Sequence, residues 1–215
     1  MYRRLDVGRL DCFEGNGIYY AATELESRTC AGSPVVVVGG GNSAGQAAMF
    51  LAETASSVTL LIRGSDLGKN MSRYLVDRVD AHPRINIHLN SQVSGLVGEA
   101  GLEAIRVTGP DGESEMACVG LFSLIGADPS SQWLSGCAAL DENGFVLTDA
   151  SLTDDHLNGG WWTSLGRRPL PFETSRPGLF AVGDVRSGSM KRVASAVGEG
   201  SAAVRSVHQF LAFEH

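Results

Sequence analysis

The most regular pattern of hydrophobic positions lies between residues 34 and 62. Four consecutive valines at 35–38 are followed by the glycine-rich segment GGGNSAG, a run of helix-forming residues at 46–53 and the apolar segment VTLLI at 58–62. A valine run without polar alternation is typical of a strand buried on both faces, as the strands of a parallel sheet are. The stretch therefore predicts a strand, a helix and a second strand in a parallel α/β arrangement.

A second helix and a group of short strands follow in the sequence. Apolar residues recur at helical spacing between residues 70 and 81, and Pro83 ends this segment. From 84 to 126 the pattern changes to the short β-rich segments INIHL, QVSGLV and LEAIRVT, and the sequence PDGE is a strong turn signal before the segment MACVGLFSLIG. We predict a small antiparallel meander that leads back to a buried strand at 119–125.

The two ends of the chain carry weaker patterns. Residues 1–33 predict a lead-in segment, in which only the sequence IYYAA looks like a packed piece. Residues 127–176 have little periodicity and predict loops with one short strand at 145–148. A strand at 178–182 and a helix over 191–213 complete the prediction.

Composition and charge restrict the class of protein. The chain has 215 residues, of which 43% are hydrophobic, and this is enough to bury a sizeable core. Its net charge of -7 argues against nucleic acid or an anionic membrane as the main partner, because lysine and arginine drive such binding. The sequence has no apolar run of membrane-spanning length and no apolar signal segment near its start, so we expect a soluble cytoplasmic protein.

The four cysteines, Cys12, Cys30, Cys118 and Cys137, are widely scattered and form no Cys-x-x-Cys pair. This spacing disfavours a structural zinc site, a disulfide scaffold and a local dithiol centre. The five histidines share no ligand spacing either, so we expect no metal site.

A dinucleotide-binding signature lies between the valine run and the following helix. Gly39, Gly41 and Ala44 fit the pattern Gly-x-Gly-x-x-Ala in the strand-to-helix context that this motif requires. The first glycine permits the tight turn, the second lets the backbone approach a pyrophosphate, and the alanine lets the helix pack closely on the strand. Asn42 and Ser43 belong to this motif, directly before the helix whose N-terminal N–H groups are expected to bind the phosphates. A glycine-rich connection without a ligand is the alternative.

The end of the strand at 58–62 bears on which dinucleotide binds. An acidic residue there bonds a free ribose 2′-hydroxyl, whereas arginine accommodates a 2′-phosphate. The strand is followed by Arg63, and Lys69 and Arg73 are close enough in sequence to add positive charge. We therefore predict NADP(H) as the cofactor. Asp66 is evidence for NAD(H) instead, and a solubilising role on the surface is the alternative for Arg63.

Two segments near the C-terminus indicate a second ligand site. GLFAVGDV contains a Gly-Asp pair at the end of a predicted strand, and KRVASAVGEG begins the last predicted helix. Taken together in this order, the two segments resemble the second flavin-binding segment of the thioredoxin reductase-like flavoproteins. These flavoproteins belong to the pyridine nucleotide-disulfide oxidoreductase family. The resemblance implies that Asp184 holds the ribityl chain of FAD and that the preceding Gly183 belongs to the same cofactor site. It also implies that the helix start faces the pyrimidine side of the flavin ring with Arg192, Val193 and Ala194.

The resemblance covers nearly the whole chain. GGGNSAG with Arg63 resembles the NADPH domain of that family, and LIGADP, with Gly126, resembles the return strand to its FAD domain. The resemblance implies an α/β protein with FAD and NADP(H) as cofactors. We accordingly expect a Rossmann-type, three-layer ββα NAD(P)-binding domain with a β-meander at 16–127. The C-terminal part of an FAD-binding domain is expected at 128–215, and a remnant of that domain or a linker at 1–15.

The sequence departs from that family at its redox-active dithiol. The stretch that corresponds to the Cys-x-x-Cys of thioredoxin reductases is Ala21, Ala22, Thr23 and Glu24. Without a thiolate there, the usual dithiol route has no chemistry, and the nearby Cys30 is more typical of a small buried apolar residue. The resemblance thus implies an oxidoreductase that passes a hydride from NADPH to FAD and then to an unknown acceptor, either a small molecule or a small redox protein.

The resemblance also leads us to expect an N-terminal βαβ unit with its own glycine motif for the FAD pyrophosphate, and the sequence does not contain one. We therefore expect a truncated or split enzyme whose missing half comes from a partner chain or a homodimer mate. Two alternatives remain open, a nucleotide-binding module without turnover and a disulfide reductase that uses Cys12 or Cys30. Without the missing half, several apolar side chains would lack partners, among them Phe180, Val193, Val197 and Val204.

Overall fold

The computed structural model describes residues 1–158 and 160–213, so Gly159, Glu214 and His215 lie outside the described residues. The chain divides into two compact units. The N-unit comprises Tyr2–Ala127, and the C-unit comprises Met1 together with the described residues from Asp128 onward.

The N-unit contains a five-stranded parallel sheet in the order β1-β8-β2-β3-β4 and a three-stranded antiparallel sheet in the order β5-β6-β7. The strands are β1 (Ile18–Tyr19), β2 (Pro34–Val38), β3 (Ser57–Leu61), β4 (Ile85–His88), β5 (Gln92–Val97), β6 (Ala104–Gly109), β7 (Gly112–Ala117) and β8 (Gly120–Ser123). The helices are α1 (Leu10–Phe13), α2 (Glu24–Thr29), α3 (Asn42–Leu51) and α4 (Arg73–Asp80).

Both faces of β2 are buried, as the valine run predicts. Val35 and Val37 pack with apolar residues of α3 and α4 on one face, and Val36 and Val38 pack with residues of the antiparallel sheet on the other. Each of the four is at most 8% exposed. The N-unit therefore has three layers, formed by the helices, the parallel sheet and the antiparallel meander. This architecture confirms the predicted α/β fold class.

The meander is formed by β5, β6 and β7, and the PDGE turn joins the last two strands. Gly109 pairs with Gly112 across this hairpin, and Gly112 adopts a φ of 101°, which glycine reaches without strain. The predicted hairpin is confirmed. The segment MACVGLFSLIG is divided, because its first residues end β7 and only part of the remainder forms β8 beside β2.

Residues 1–33 contribute to the core of the N-unit, whereas the sequence predicts only a lead-in. β1 pairs in parallel with β8 at the edge of the sheet, with Ile18 opposite Leu121. Leu10 and Phe13 of α1 are buried in the same hydrophobic cluster as Ile18. A two-residue strand and a single helical turn are too short to show a hydrophobic period, so the sequence pattern does not reveal them.

The described part of the C-unit contains two short helices, one long helix and several turns. Its helices are α5 (Asp154–Leu157), α6 (Gly160–Leu165) and α7 (Val193–Phe213), and its 3-10 turns are Gln132–Leu134, Asp149–Ser151 and Gly183–Val185.

The predicted strands at 145–148 and 178–182 are wrong. In the described part of the C-unit their residues form isolated bridges, such as Val146 with Arg186 and Phe180 with Glu173. Each segment runs directly into a 3-10 turn whose first residue has a positive φ, which ends the extended backbone before a ladder can form.

The helix α7 begins two residues later than predicted and exposes apolar side chains. Val193, Val197 and Val204 are each more than half exposed, in line with the expectation that they lack partners. Phe180 differs from that expectation, because its ring packs edge to face against Phe210 with 6.3 Å between centroids. No helix in the described residues combines the length and hydropathy needed to cross a membrane.

Candidate functional site

The backbone between β2 and α3 makes a turn that only glycine can form at its first position. Gly39 has a φ of 148°, and a Cβ atom there would lie 2.5 Å from the carbonyl oxygen of Leu124 and 3.0 Å from Cβ of Ala44. The first contact is shorter than a Cβ atom tolerates, and the second is tight. Gly39 and Ala44 therefore allow the end of β2, the start of α3 and the segment after β8 to pack closely.

The start of α3 is open to a ligand. A Cβ atom on Gly41 would meet nothing nearer than the carbonyl oxygen of Asn70, at 3.9 Å. The helix begins at Asn42, four residues before its predicted start, and Ser43 is exposed in its first turn. The first N–H groups of a helix have no partner within the helix, so those of Asn42, Ser43 and Ala44 can bind an anion.

A neighbouring segment is fixed against this turn. Asn70 forms a parallel bridge with Gly41, and Asn42 Oδ1 accepts a hydrogen bond from the backbone N of Ser72 at 2.8 Å. The side-chain oxygen of Asn42 is therefore engaged within the protein. These two contacts hold Lys69, which directly precedes Asn70, near the start of α3.

Two cations near the end of β3 are unpaired. Arg63 and Lys69 are exposed, and neither forms a hydrogen bond or ion pair with another described residue. Arg73, by contrast, donates a hydrogen bond from Nε to Asp77 Oδ1 at 2.9 Å. Asp66 accepts one from the backbone N of Gly68 at 2.7 Å, so its carboxylate already stabilises its own loop.

Gly126 lies three residues after the end of β8. Its φ is 103°, and its carbonyl oxygen accepts a hydrogen bond from the backbone N of Arg3 at 3.0 Å. The segment that contains Gly126 also supplies the Leu124 carbonyl beside Gly39, so the sequence-predicted residues Gly39 and Gly126 belong to one end of the parallel sheet.

In the C-unit, the predicted flavin-binding turn is packed on α7. Gly183 has a φ of 69°, and a Cβ atom there would lie 3.2 Å from Cβ of Ala196. The next residue, Asp184, is exposed and forms no hydrogen bond or ion pair with another described residue. Its carboxylate is free to accept hydrogen bonds from hydroxyl groups of a ligand.

The start of α7 is also open. Arg192, Val193 and Ala194 are exposed, and the backbone N of Ala196 donates to the Arg192 carbonyl oxygen at 3.0 Å to begin the helix. The N–H groups of Val193 and Ala194 precede this bond and remain available. The site residues predicted for NADP(H) are thus in the N-unit, and those predicted for FAD, apart from the return-strand Gly126, are in the C-unit.

A carboxylate that the sequence analysis does not single out ties the Gly183 turn to α7. Glu199 Oε2 accepts hydrogen bonds from the backbone N of Gly183 at 2.7 Å and from Arg186 Nε at 3.1 Å. Its Oε1 accepts from Arg186 Nη2 at 2.6 Å and from Ser189 Oγ at 2.9 Å. The hydrogen bonds from Arg186 lower the pKa of Glu199 to about 2. Glu199 lies in the segment KRVASAVGEG and Arg186 directly follows Gly-Asp-Val, so the sequence places both residues near the predicted site but does not reveal that they pair.

A second buried ion pair supports the C-unit. Glu173 has no exposed surface, and its carboxylate accepts hydrogen bonds from Arg167 Nη1 at 2.7 Å and Nη2 at 3.0 Å. The backbone N atoms of Leu170 and Gly178 donate to it as well. Burial by itself raises the pKa of Glu173, but these donors outweigh it and hold the pKa below its ordinary value.

Two of the four free cysteines, Cys30 and Cys118, are buried. Burial raises the pKa of Cys30, and it raises the pKa of Cys118 to about 12. Both are therefore poor nucleophiles. The stretch at 21–24 instead begins α2, where Thr23 and Glu26 cap the helix through reciprocal hydrogen bonds.

A family model and individual relatives of this chain identify the same protein family. The family model described as pyridine nucleotide-disulphide oxidoreductase matches residues 11–200. A thioredoxin reductase of Streptomyces clavuligerus is 30% identical over 213 residues, which cover 98% of this chain and 59% of that protein. A thioredoxin reductase of Mycoplasma genitalium is 31% identical over 208 residues, covering 95% of this chain and 59% of that protein.

Solved structures of thioredoxin reductases also match nearly the whole of this chain. Thioredoxin reductase from Lactococcus lactis, in its FR conformation, matches with a TM-score of 0.80 at 25% identity, covering 99% of this chain and 63% of that chain. The enzyme from T. acidophilum matches with a TM-score of 0.79 at 26% identity, covering 97% and 62%. This chain spans about three fifths of the length of the proteins it matches.

Proposed function

Because the chain belongs to the pyridine nucleotide-disulphide oxidoreductase family, we propose that it is a thioredoxin reductase-like flavoprotein that passes a hydride from NADPH to FAD. In this proposal the electrons then reach an acceptor without a Cys-x-x-Cys dithiol. Residues 16–127 act as the NADPH-binding domain, residues 128–215 as the C-terminal part of the FAD-binding domain, and residues 1–15 as a connecting segment.

The dinucleotide-binding turn is the observation that carries this proposal. Gly39 makes the tight turn and Gly41 leaves open space above the first turn of α3. We assign the pyrophosphate to the backbone N–H groups of Asn42, Ser43 and Ala44. We place Gly126 in the segment after β8 that leads back to the FAD-binding part of the chain.

The unpaired cations beside this turn support NADP(H) as the nucleotide. A ribose 2′-phosphate carries negative charge that a free guanidinium binds well, whereas a ribose 2′-hydroxyl needs an acidic acceptor. Arg63 and Lys69 are both exposed and free of protein partners among the described residues, and the Asp66 carboxylate is engaged with Gly68. We assign the 2′-phosphate to Arg63 and Lys69.

The open turn and helix start of the C-unit support FAD as the second cofactor. Asp184 offers a free carboxylate for ribityl hydroxyl groups, held by the turn at Gly183. Val193 and Ala194 offer N–H groups, and with the exposed Arg192 they form a positive helix end, which suits the pyrimidine side of a flavin and stabilises negative charge there. Bound FAD would supply the hydride acceptor at this site, and the chain's own residues would contribute binding and orientation.

The acceptor is proposed to be a small molecule or a small redox protein. Several relatives are named thioredoxin reductase, which makes a small redox protein a reasonable candidate. The helix-capping role of Thr23 and the buried state of Cys30 and Cys118 support a route that does not use a protein dithiol. We further propose a cytoplasmic location, with which four free cysteines agree.

A visible absorption spectrum tests the proposal. Purified protein is mixed with FAD, freed of excess flavin, and titrated anaerobically with NADPH and, separately, with NADH. We expect retained flavin absorbance that NADPH bleaches at lower concentration than NADH. Retained flavin that neither nucleotide reduces would contradict hydride transfer. Absence of bound flavin, with NADP⁺ binding intact, would make the chain a nucleotide-binding module instead.

A further inference from the structure

We propose that Glu199 is a positioning residue for FAD, because it fixes the Gly183 turn and thereby the place of the Asp184 carboxylate relative to the start of α7. This inference rests on the proposed function, in which Asp184 contacts the ribityl chain. Glu199 itself is not assigned any contact with the cofactor.

The geometry of the turn explains why an external residue must hold it. Asp184 has no hydrogen-bonding partner among the described residues, so its own side chain does not fix its position. The preceding residue, Gly183, lies against Ala196 of α7 in a left-handed conformation and donates its N–H to Glu199. The backbone that carries Asp184 is therefore fixed through Gly183 and Glu199.

Glu199 also holds the other end of the same loop. Arg186 and Ser189 both donate to its carboxylate, and Ser189 lies three residues before Arg192. The bridge to Val146 holds the middle of this loop, and Glu199 holds both of its ends, at Gly183 and at Ser189, between the two groups of residues assigned to the flavin. A shift in this loop would change the distance between the Asp184 carboxylate and the open N–H groups of α7.

The ion pair between Glu199 and Arg186 is strong enough to hold the loop in one position. The side chains of Glu199 and Arg186 are only 14% and 18% exposed, and the arginine donates two hydrogen bonds to the two carboxylate oxygens. Charge-assisted bidentate pairs of this type are geometrically specific and stronger than neutral hydrogen bonds. An amide at position 199 could not accept all of these bonds, because its nitrogen is a donor.

The test is the affinity of the full chain for FAD, measured by flavin fluorescence. We expect Glu199→Gln to weaken FAD binding about tenfold or more, and Glu199→Asp, which keeps the charge, to recover part of the loss. Glu142→Gln is the matched control, because Glu142 is exposed and forms no hydrogen bond or ion pair with another described residue. Binding of NADP⁺, assigned to the N-unit, should be unchanged in every variant.

A double-mutant cycle separates positioning from general stability. Asp184→Asn removes the proposed direct contact, so Glu199→Gln should cost much less FAD affinity in the Asp184→Asn background than in the wild-type chain. If Glu199→Gln does not fold, Arg186→Lys carries the same test, since it keeps the positive charge and loses the bidentate contact.

The outcomes distinguish this inference from the proposed function. Failure of the wild-type chain to bind FAD would overturn the proposed function and this inference with it. Wild-type binding that Asp184→Asn weakens and Glu199→Gln leaves unchanged would overturn only the positioning role. Equal losses from Glu199→Gln in both backgrounds would do the same, because they would mean that Glu199 acts independently of Asp184.

Discussion

Two glycines determine whether the proposed sites can form at all. Gly39 and Gly183 both adopt positive φ values, and a Cβ would lie 2.5 Å from its nearest neighbour at Gly39 and 3.2 Å from it at Gly183. At Gly39 the nearest of these atoms is a backbone oxygen, which cannot rotate away as a side chain can. Substitution of such a glycine is therefore expected to lower stability and to weaken ligand binding.

Replacement of Gly39 by alanine should destabilise the N-unit by about 1 to 3 kcal/mol, because the added Cβ would lie 2.5 Å from the Leu124 carbonyl oxygen. It should also weaken NADP⁺ binding. Urea unfolding and nucleotide titration measure the two effects. Gly8→Ala is the control, since a Cβ there meets nothing within 4 Å and its φ is not in the left-handed region. Equal effects of the two substitutions would contradict the role of the turn.

Replacement of Arg167 by methionine should destabilise the chain by about 3 to 5 kcal/mol, because it leaves the fully buried carboxylate of Glu173 without its charged partner. Arg168→Met is the matched control. Arg168 is 69% exposed and pairs with Asp154 at the surface, so its loss should cost at most about 1 kcal/mol. A denaturant midpoint that moves equally in both variants would be inconsistent with a buried pair at Glu173.

At the scale of secondary-structure elements, each proposed site lies where a strand or turn meets the start of a helix. In the N-unit this is the junction of β2 with α3, flanked by the loop after β3. In the C-unit it is the turn at Gly183 with α7. The chemistry of each junction comes from groups that the fold leaves without protein partners.

The loop after β3 should control the choice of nucleotide. We expect Arg63→Ala and Lys69→Ala each to raise the Kd for NADP⁺ about tenfold and to leave the Kd for NAD⁺ nearly unchanged, because only NADP⁺ carries the 2′-phosphate. Arg73→Ala is the control, since the Arg73 guanidinium is engaged with Asp77. Calorimetric titration measures the constants, and a parallel loss for NAD⁺ would count against this assignment.

The junction of the Gly183 turn with α7 should weaken in acid. The folded-state pKa of Glu199 is lowered from 4.5 to about 2, so folding favours the ionised form. The resulting stability is present above the unfolded pKa and is lost as the pH falls from about 4.5 towards 2, with a total of at most about 3 kcal/mol. We therefore expect the difference in unfolding free energy between wild type and Glu199→Gln to shrink between pH 7 and pH 3. A difference independent of pH would argue against an ionised Glu199.

For the molecule as a whole, the sequence predicts the N-unit better than the C-unit. The valine run, the glycine turn and the PDGE hairpin are local signals, and each forms the structure that its pattern favours. The strands expected at 145–148 and 178–182 do not form, because a strand depends on a partner that local periodicity does not report.

The same distinction applies to the candidate sites. Gly39, Gly41 and Gly183 can be identified from motif context, since each motif is contiguous in sequence. The ion pairs of Glu199 with Arg186 and of Glu173 with Arg167 are missed, because a charged residue in the sequence gives no sign of its burial. Burial becomes evident only when the fold brings the two partners together.

The capping arrangement at the start of α2 makes this chain a suitable host for protein engineering. Thr23 and Glu26 form the cap between them, so Ala21 and Glu24 take no part in it. Glu24 contributes only an exposed ion pair with Arg28. Cysteines could therefore be introduced at positions 21 and 24 with the cap preserved, at a helix start where thiolates are stabilised. The effect of an added dithiol could then be measured by comparing the variant with the unmodified chain.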